Sequence, residues 1–227
     1  MSTKPVCLII QPAGAGPGIL GLSFASKWAA NGYQVLIVRS DGSKVDDPDI
    51  VAIEADATDQ ERMEVVVDEV ESKYGPVKTM IYDHIEAWIQ ENYEEVSVEE
   101  LENQFSAAVT GLLIAAKIVC PRMVEAGGGV VGITGATASL RGKPGTIGFA
   151  PAKAAQRIMA QSLARDLGPQ NVHVFYAIID GTVKVGAEER EKHMDPEDIA
   201  ETYWSVAQQK RSAWTHEVDM RPFCEKW

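Results

Sequence analysis

The feature that most constrains this chain is Val6-Cys7-Leu8-Ile9-Ile10 running into Gln11-Pro12-Ala13-Gly14-Ala15-Gly16-Pro17-Gly18-Ile19-Leu20-Gly21. Consecutive apolar residues of this kind fit a strand buried on both faces of a sheet. Beyond the turn, Ile19, Leu22, Phe24, Ala25, Trp28 and Ala29 recur at helical spacing. Strand, glycine turn and helix in that order form the opening unit of a nucleotide-binding α/β sheet. Glycines let the main chain approach a pyrophosphate and donate free N–H groups to it, and the helix dipole adds to the attraction. Gly14, Gly16, Gly18 and Ile19 are therefore candidate phosphate-binding residues; the alternative is a glycine-rich turn that binds nothing.

The same alternation continues to the C-terminus. Strands are expected at 34–38, 50–54, 77–82, 130–134 and 172–179, with a short one at 214–219. Helices are expected between them: 60–73 capped by Asp59 or Thr58, a long segment from a Ser97/Glu100 capping box to about Glu125, one opening at Pro151-Ala152-Lys153, and one at 196–209. Alternating strands and helices imply one doubly wound α/β domain over residues 1–227, a Rossmann-like parallel sheet of about seven strands. Arg39 ends the second strand, where an acid would hold a ribose 2′-hydroxyl and an arginine favours a 2′-phosphate. It points to NADP(H) rather than NAD(H), unless it is simply a surface arginine beside Asp41, Asp46 and Asp47.

Composition narrows the partners. A formal charge of −12 and a pI near 4.8 argue against nucleic acid and anionic membranes. No apolar run of transmembrane length and no leader are expected, and Cys7, Cys120 and Cys224 lack disulfide or zinc spacing. The expectation is a cytoplasmic protein without a metal. The stretch from Leu101 to Val124 carries Phe105, Val109, Leu112, Leu113, Ile114, Ile118, Val119 and Met123 around its whole circumference. A helix apolar all round needs a cover on every side, which implies a homodimer or homotetramer through 101–124, or a helix covered by the chain's own loops.

Taken with Asp56-Ala57-Thr58-Asp59, the Gly129–Thr134 strand with its small-residue loop, Lys153 and Asp180-Gly181-Thr182, the chain resembles a short-chain dehydrogenase/reductase over nearly its whole length. The resemblance implies an oxidoreductase acting on a small molecule, with Asp56, Ala57, Lys153 and Thr182 joining the cofactor site. It also exposes departures. The family's active site is an Asn-Ser-Tyr-Lys set, and here Phe149 stands four residues before Lys153 where the tyrosine belongs. The asparagine falls near Ala108, and the serine at Gly135 or Ala136. Leu20 replaces the third glycine, with Gly21 one step late. A phenyl ring cannot donate the proton that a carbonyl needs as hydride arrives, and losing a general acid costs roughly 10²–10⁴-fold in rate.

Candidate replacement groups are Tyr82 and His84 at the end of strand four, with Asp83 between them, and the hydroxyls of Thr137 and Ser139; histidine ordinarily titrates near neutrality. Two classes of function remain. One is an NADP(H)-dependent oxidoreductase with a rebuilt site, reducing an iminium or a conjugated C=C bond. The other is an inactive binding or scaffolding protein, with a non-redox lyase or isomerase as a third reading. Carbonyl reduction is expected to appear when Phe149→Tyr is combined with Ala136→Ser, or with Gly135→Ser.

Overall fold

A computed structural model describes residues 4–11, 18–41, 45, 47, 49–84, 92–186 and 192–225. Gly14 and Gly16, and the 85–91 segment with Trp88, lie outside the described residues. Seven strands form one parallel sheet in the order β3-β2-β1-β4-β5-β6-β7. They are β1 (Val6–Gln11), β2 (Gln34–Arg39), β3 (Ile50–Glu54), β4 (Val77–Tyr82), β5 (Gly129–Ala136), β6 (Val172–Ile179) and β7 (Glu217–Met220). The order reverses between β1 and β4, and in open α/β sheets ligands bind outside the carboxyl ends of strands at such a point.

The apolar run of β1 is buried on both faces, as its composition requires. Leu8 and Ile10 face one cluster with α2 (Gln60–Tyr74), α4 (Gly111–Glu125) and α5 (Ala150–Leu167). Cys7 and Ile9 face the other, under α1 (Ile19–Ala30) and α6 (Pro196–Ala207). There Phe24 packs on Tyr203 at 4.4 Å and Trp28 meets Trp204 edge-on at 5.2 Å. Asp59 is the cap of α2, accepting from the Arg62 N–H at 3.0 Å. Only half of the expected capping box forms: Ser97 Oγ accepts from the Glu100 N–H, whereas the Glu100 carboxylate takes the Gln104 amide.

The long helical segment is interrupted. It comprises α3 (Val98–Phe105), a π turn at Ser106–Thr110 and α4. In that turn the Gly111 N–H reaches back to Ser106 O, so Ala107 O loses its ordinary helical donor. Contrary to the sequence expectation, Val98–Glu125 is long enough, and over an 18-residue stretch of mean hydropathy 1.6 apolar enough, to cross a membrane. More than half of that stretch, 56%, is buried inside the fold, and Leu112, Ile114, Ile118, Val119 and Met123 pack on the chain's own core. The outward apolar remainder is narrower than the sequence implies: Phe105 and Val109 are half-buried, and Leu113 is 44% exposed.

Candidate active site

The site is assembled from strand ends. The register places Gln11 beside Arg39, and Ile10 beside Tyr82. Gly18 adopts a left-handed conformation (φ 69°) and opens α1 with no side-chain cap and no acidic residue in its first turn. The Arg39 guanidinium lies against it: a Cβ on Gly18 would sit 3.0 Å from Nη2. Arg39 is only 9% exposed and contacts Asp41 at 3.3 Å. A cation placed at the positive end of a helix dipole favours a bound anion. Ile19 follows directly in the same helix start, half-buried.

Gly21 has a different task from the glycine it replaces. Its missing side chain makes room for Gln11, whose amide would overlap a Cβ there. Gln11 Nε2 donates to Asp83 Oδ2 at 3.0 Å, and Asp83 is buried. Burial pushes the Asp83 carboxyl up, against opposing contributions from Thr134, Gln11 and Lys153. On the α6 side, Thr134 Oγ1 and the Tyr203 hydroxyl share a 2.9 Å hydrogen bond.

Lys153 lies on α5, 1% exposed, and donates to His84 O (2.5 Å), Thr134 O (3.0 Å) and Gln156 Oε1 (3.2 Å). The Phe149 ring stands 5.6 Å from Nζ, in cation–π range, so the position expected for a phenol does face this lysine. His84 is wholly buried. Burial first, and Lys153 second, hold its imidazole well below the usual range. That direction favours the neutral ring, away from the near-neutral titration ordinary for a histidine.

Tyr82 belongs to the core. It is fully buried, its hydroxyl donates to Ala107 O at 2.5 Å, and burial raises its pKa strongly. Gly111 is a glycine because a Cβ would overlap that hydroxyl. Thr137 and Ser139 form a single 3-10 turn after β5, packed against α5, with buried hydroxyls. Of the two positions open for the serine, a side chain on Gly135 would drive into the Tyr176 ring, whereas Ala136 is half-buried. The Tyr176 hydroxyl donates to Lys153 O at 3.3 Å, and burial pushes its pKa up to about 12.

After β3, Asp56 Oδ1 accepts from the Thr58 N–H and hydroxyl at 2.8 Å each, forming a turn beside buried Ala57. Thr182 is exposed after β6, and its carbonyl accepts from the Met194 N–H. Among the described residues no acidic, histidine or cysteine group is arranged to hold a metal. Sequence reading missed Gln11, Gln156, Tyr176 and Tyr203. The one signal available for Gln156 is its place three residues after Lys153, on the same face of a helix.

A glycine-opened helix at the switch point of a doubly wound sheet, with a lysine helix behind β5, is the layout of a dinucleotide-binding α/β fold. The short chain dehydrogenase family model matches residues 9–197, and the chain belongs to that family. A crystal structure of a short-chain dehydrogenase from Rhodopseudomonas palustris superposes with a TM-score of 0.81 at 30% identity, covering 96% of this chain and 99% of the other. An uncharacterised oxidoreductase of Staphylococcus saprophyticus is 26% identical over 227 residues, covering 92% of this chain and 94% of that protein. A 3-ketoacyl-(acyl-carrier-protein) reductase from Brucella melitensis, solved with NADH, shares the fold at TM-score 0.81 and 21% identity, covering 95% and 96% of the two chains.

Proposed function

We propose that this protein is an NADP(H)-dependent oxidoreductase that reduces a substrate needing no tyrosine acid, an iminium or a conjugated C=C bond. One observation carries the reading: Arg39 lies buried against the uncapped start of α1. Both supply positive potential, and among the described residues Asp41 is the acidic partner of Arg39. A 2′-phosphate fits that demand. When bound, the nicotinamide would supply the hydride. The chain's own part is to hold the phosphates at Gly18 and Arg39 and to present the half-buried Phe149 ring where a phenol would stand. An iminium already carries its proton, so the missing phenol costs it nothing; a conjugated C=C bond would take the proton that follows the hydride from water.

A second reading has its own support. Lys153 spends its donors on protein carbonyls and Gln156, as it would in a protein that kept the fold for binding alone. Nucleotide titration separates the two. NADPH is expected to bind more tightly than NADH, and Arg39→Ala to abolish the preference, since a charge-assisted contact is worth about 1.5–3 kcal/mol, roughly 10-fold or more. Equal affinities in the wild type would overturn the NADP(H) assignment, and no binding of either would favour the second reading.

A further inference from the structure

The π turn leaves two main-chain carbonyls with side-chain donors. Ala107 O takes the Tyr82 hydroxyl, and Ala108 O takes Gln156 Nε2 at 3.0 Å. Gln156 is fully buried, and its other amide atom, Oε1, accepts from Lys153 Nζ. One side chain thus joins the irregular turn of the long helix to the ammonium that stands behind Phe149. Its two ends are chemically matched, the N–H₂ to a carbonyl and the oxygen to a cation, so the amide has one sensible orientation.

We infer that Gln156 is a positioning residue that holds Lys153 drawn inward, onto the carbonyls of His84 and Thr134 and away from any ligand at the carboxyl ends of β4 and β5. Without that acceptor, Nζ loses one of its partners deep in the protein, where an unsatisfied donor is costly. A four-carbon stem is long enough to swing the charge outward, where water or a ribose hydroxyl takes the vacant donor. Gln156 therefore decides whether the lysine acts only through its field or as a donor to a bound molecule. The ligand half of this statement rests on the nucleotide-binding reading; the lysine half does not.

Two measurements test it on the full-length protein. In the first, native protein is reductively methylated with formaldehyde and a borohydride, and modification of Lys153 is followed by mass spectrometry without nucleotide. Wild type is expected to be protected, and Gln156→Leu to react at least tenfold faster. Gln156→Glu keeps an acceptor for Nζ and is expected to stay protected. Buried Cys7 serves as the control for general loosening, and its reactivity with a maleimide is expected to be unchanged in both variants. Equal Lys153 protection in wild type and Gln156→Leu would overturn the inference, as would Cys7 becoming reactive in parallel. The second measurement is NADPH affinity. Gln156→Leu is expected to tighten binding several-fold in the wild-type background and not at all beside Lys153→Met. The same change in both backgrounds would refute the positioning role. If no variant binds nucleotide, the functional reading fails while the methylation result still decides the role of Gln156.

Discussion

Tyr82→Phe separates a core tyrosine from a catalytic one. The change removes one oxygen from a fully buried ring and leaves the Ala107 carbonyl without its donor. Stranding a buried acceptor costs about 1–3 kcal/mol, with the lower end reached if the π turn relaxes so that the Gly111 N–H takes that carbonyl back. For a chain of this length each kcal/mol lowers Tm by about 2–4 °C, so a fall of roughly 2–12 °C is expected. Gly111→Ala is the companion. Its methyl would overlap the Tyr82 hydroxyl, an overpacking that costs about 1–3 kcal/mol. With the hydroxyl gone the methyl has its room, so the double variant is expected to cost less than the sum of the singles. Urea or thermal unfolding of the four proteins, with nucleotide binding and hydride transfer measured well below Tm, completes the cycle. An unchanged Tm in Tyr82→Phe together with lost hydride transfer would refute the assignment and return Tyr82 to the chemistry.

Two other outcomes follow from the same packing. The His84 imidazole is held neutral, below its unfolded value of about 6.5. Its contribution to stability is complete above about pH 6.5 and is lost as the pH falls from there through the depressed folded value. His173 shifts the same way, so the test is a difference: His84→Asn should flatten the stability slope between about pH 5 and about 6.5 by up to about 1.4 kcal/mol per pH unit, and an unchanged slope contradicts it. We also propose that Phe105, Val109 and Leu113 form a dimer seam; light scattering should give a homo-oligomer at micromolar concentration and a smaller species for Leu113→Glu, and a monomeric wild type removes the proposal.

Much of the fold was legible because its elements obey simple periods. The β1 run is apolar at every position, and a strand so composed has helices on both sides. The long helix was legible in extent, but its π turn was not, because Ser106-Ala107-Ala108-Val109-Thr110 carries no glycine or proline to mark an irregularity. That turn is what gives Tyr82 a carbonyl to bond. A tyrosine at a strand end looks like a site residue until its partner, far along the chain, is known. Gly21 read as a displaced motif glycine because the side chain that needs its space, Gln11, lies at the end of another element. The Gly135/Ala136 choice stayed open for the same reason: alternation puts the two on opposite faces, yet only the packing of Tyr176 says which face is full. Gln156 escaped notice because glutamine is mostly a surface residue.

The central claim is that the family architecture is kept while the proton donor is gone, and the measurement closest to it is NADPH-dependent carbonyl reduction by Phe149→Tyr/Ala136→Ser. Phe149 already faces Lys153 at 5.6 Å, so a phenol there gains a cation beside it, and Ala136 is half-buried whereas a side chain on Gly135 would overlap Tyr176. On a panel of ketones and aldehydes, with NADPH binding verified for both proteins, the wild type should be inactive and the double variant measurably active. The gain should be modest, because Ala108 and Gln156 still hold the lysine inward. Wild-type activity equal to that of the variant would contradict the account, since some other group of this chain would then be supplying the proton.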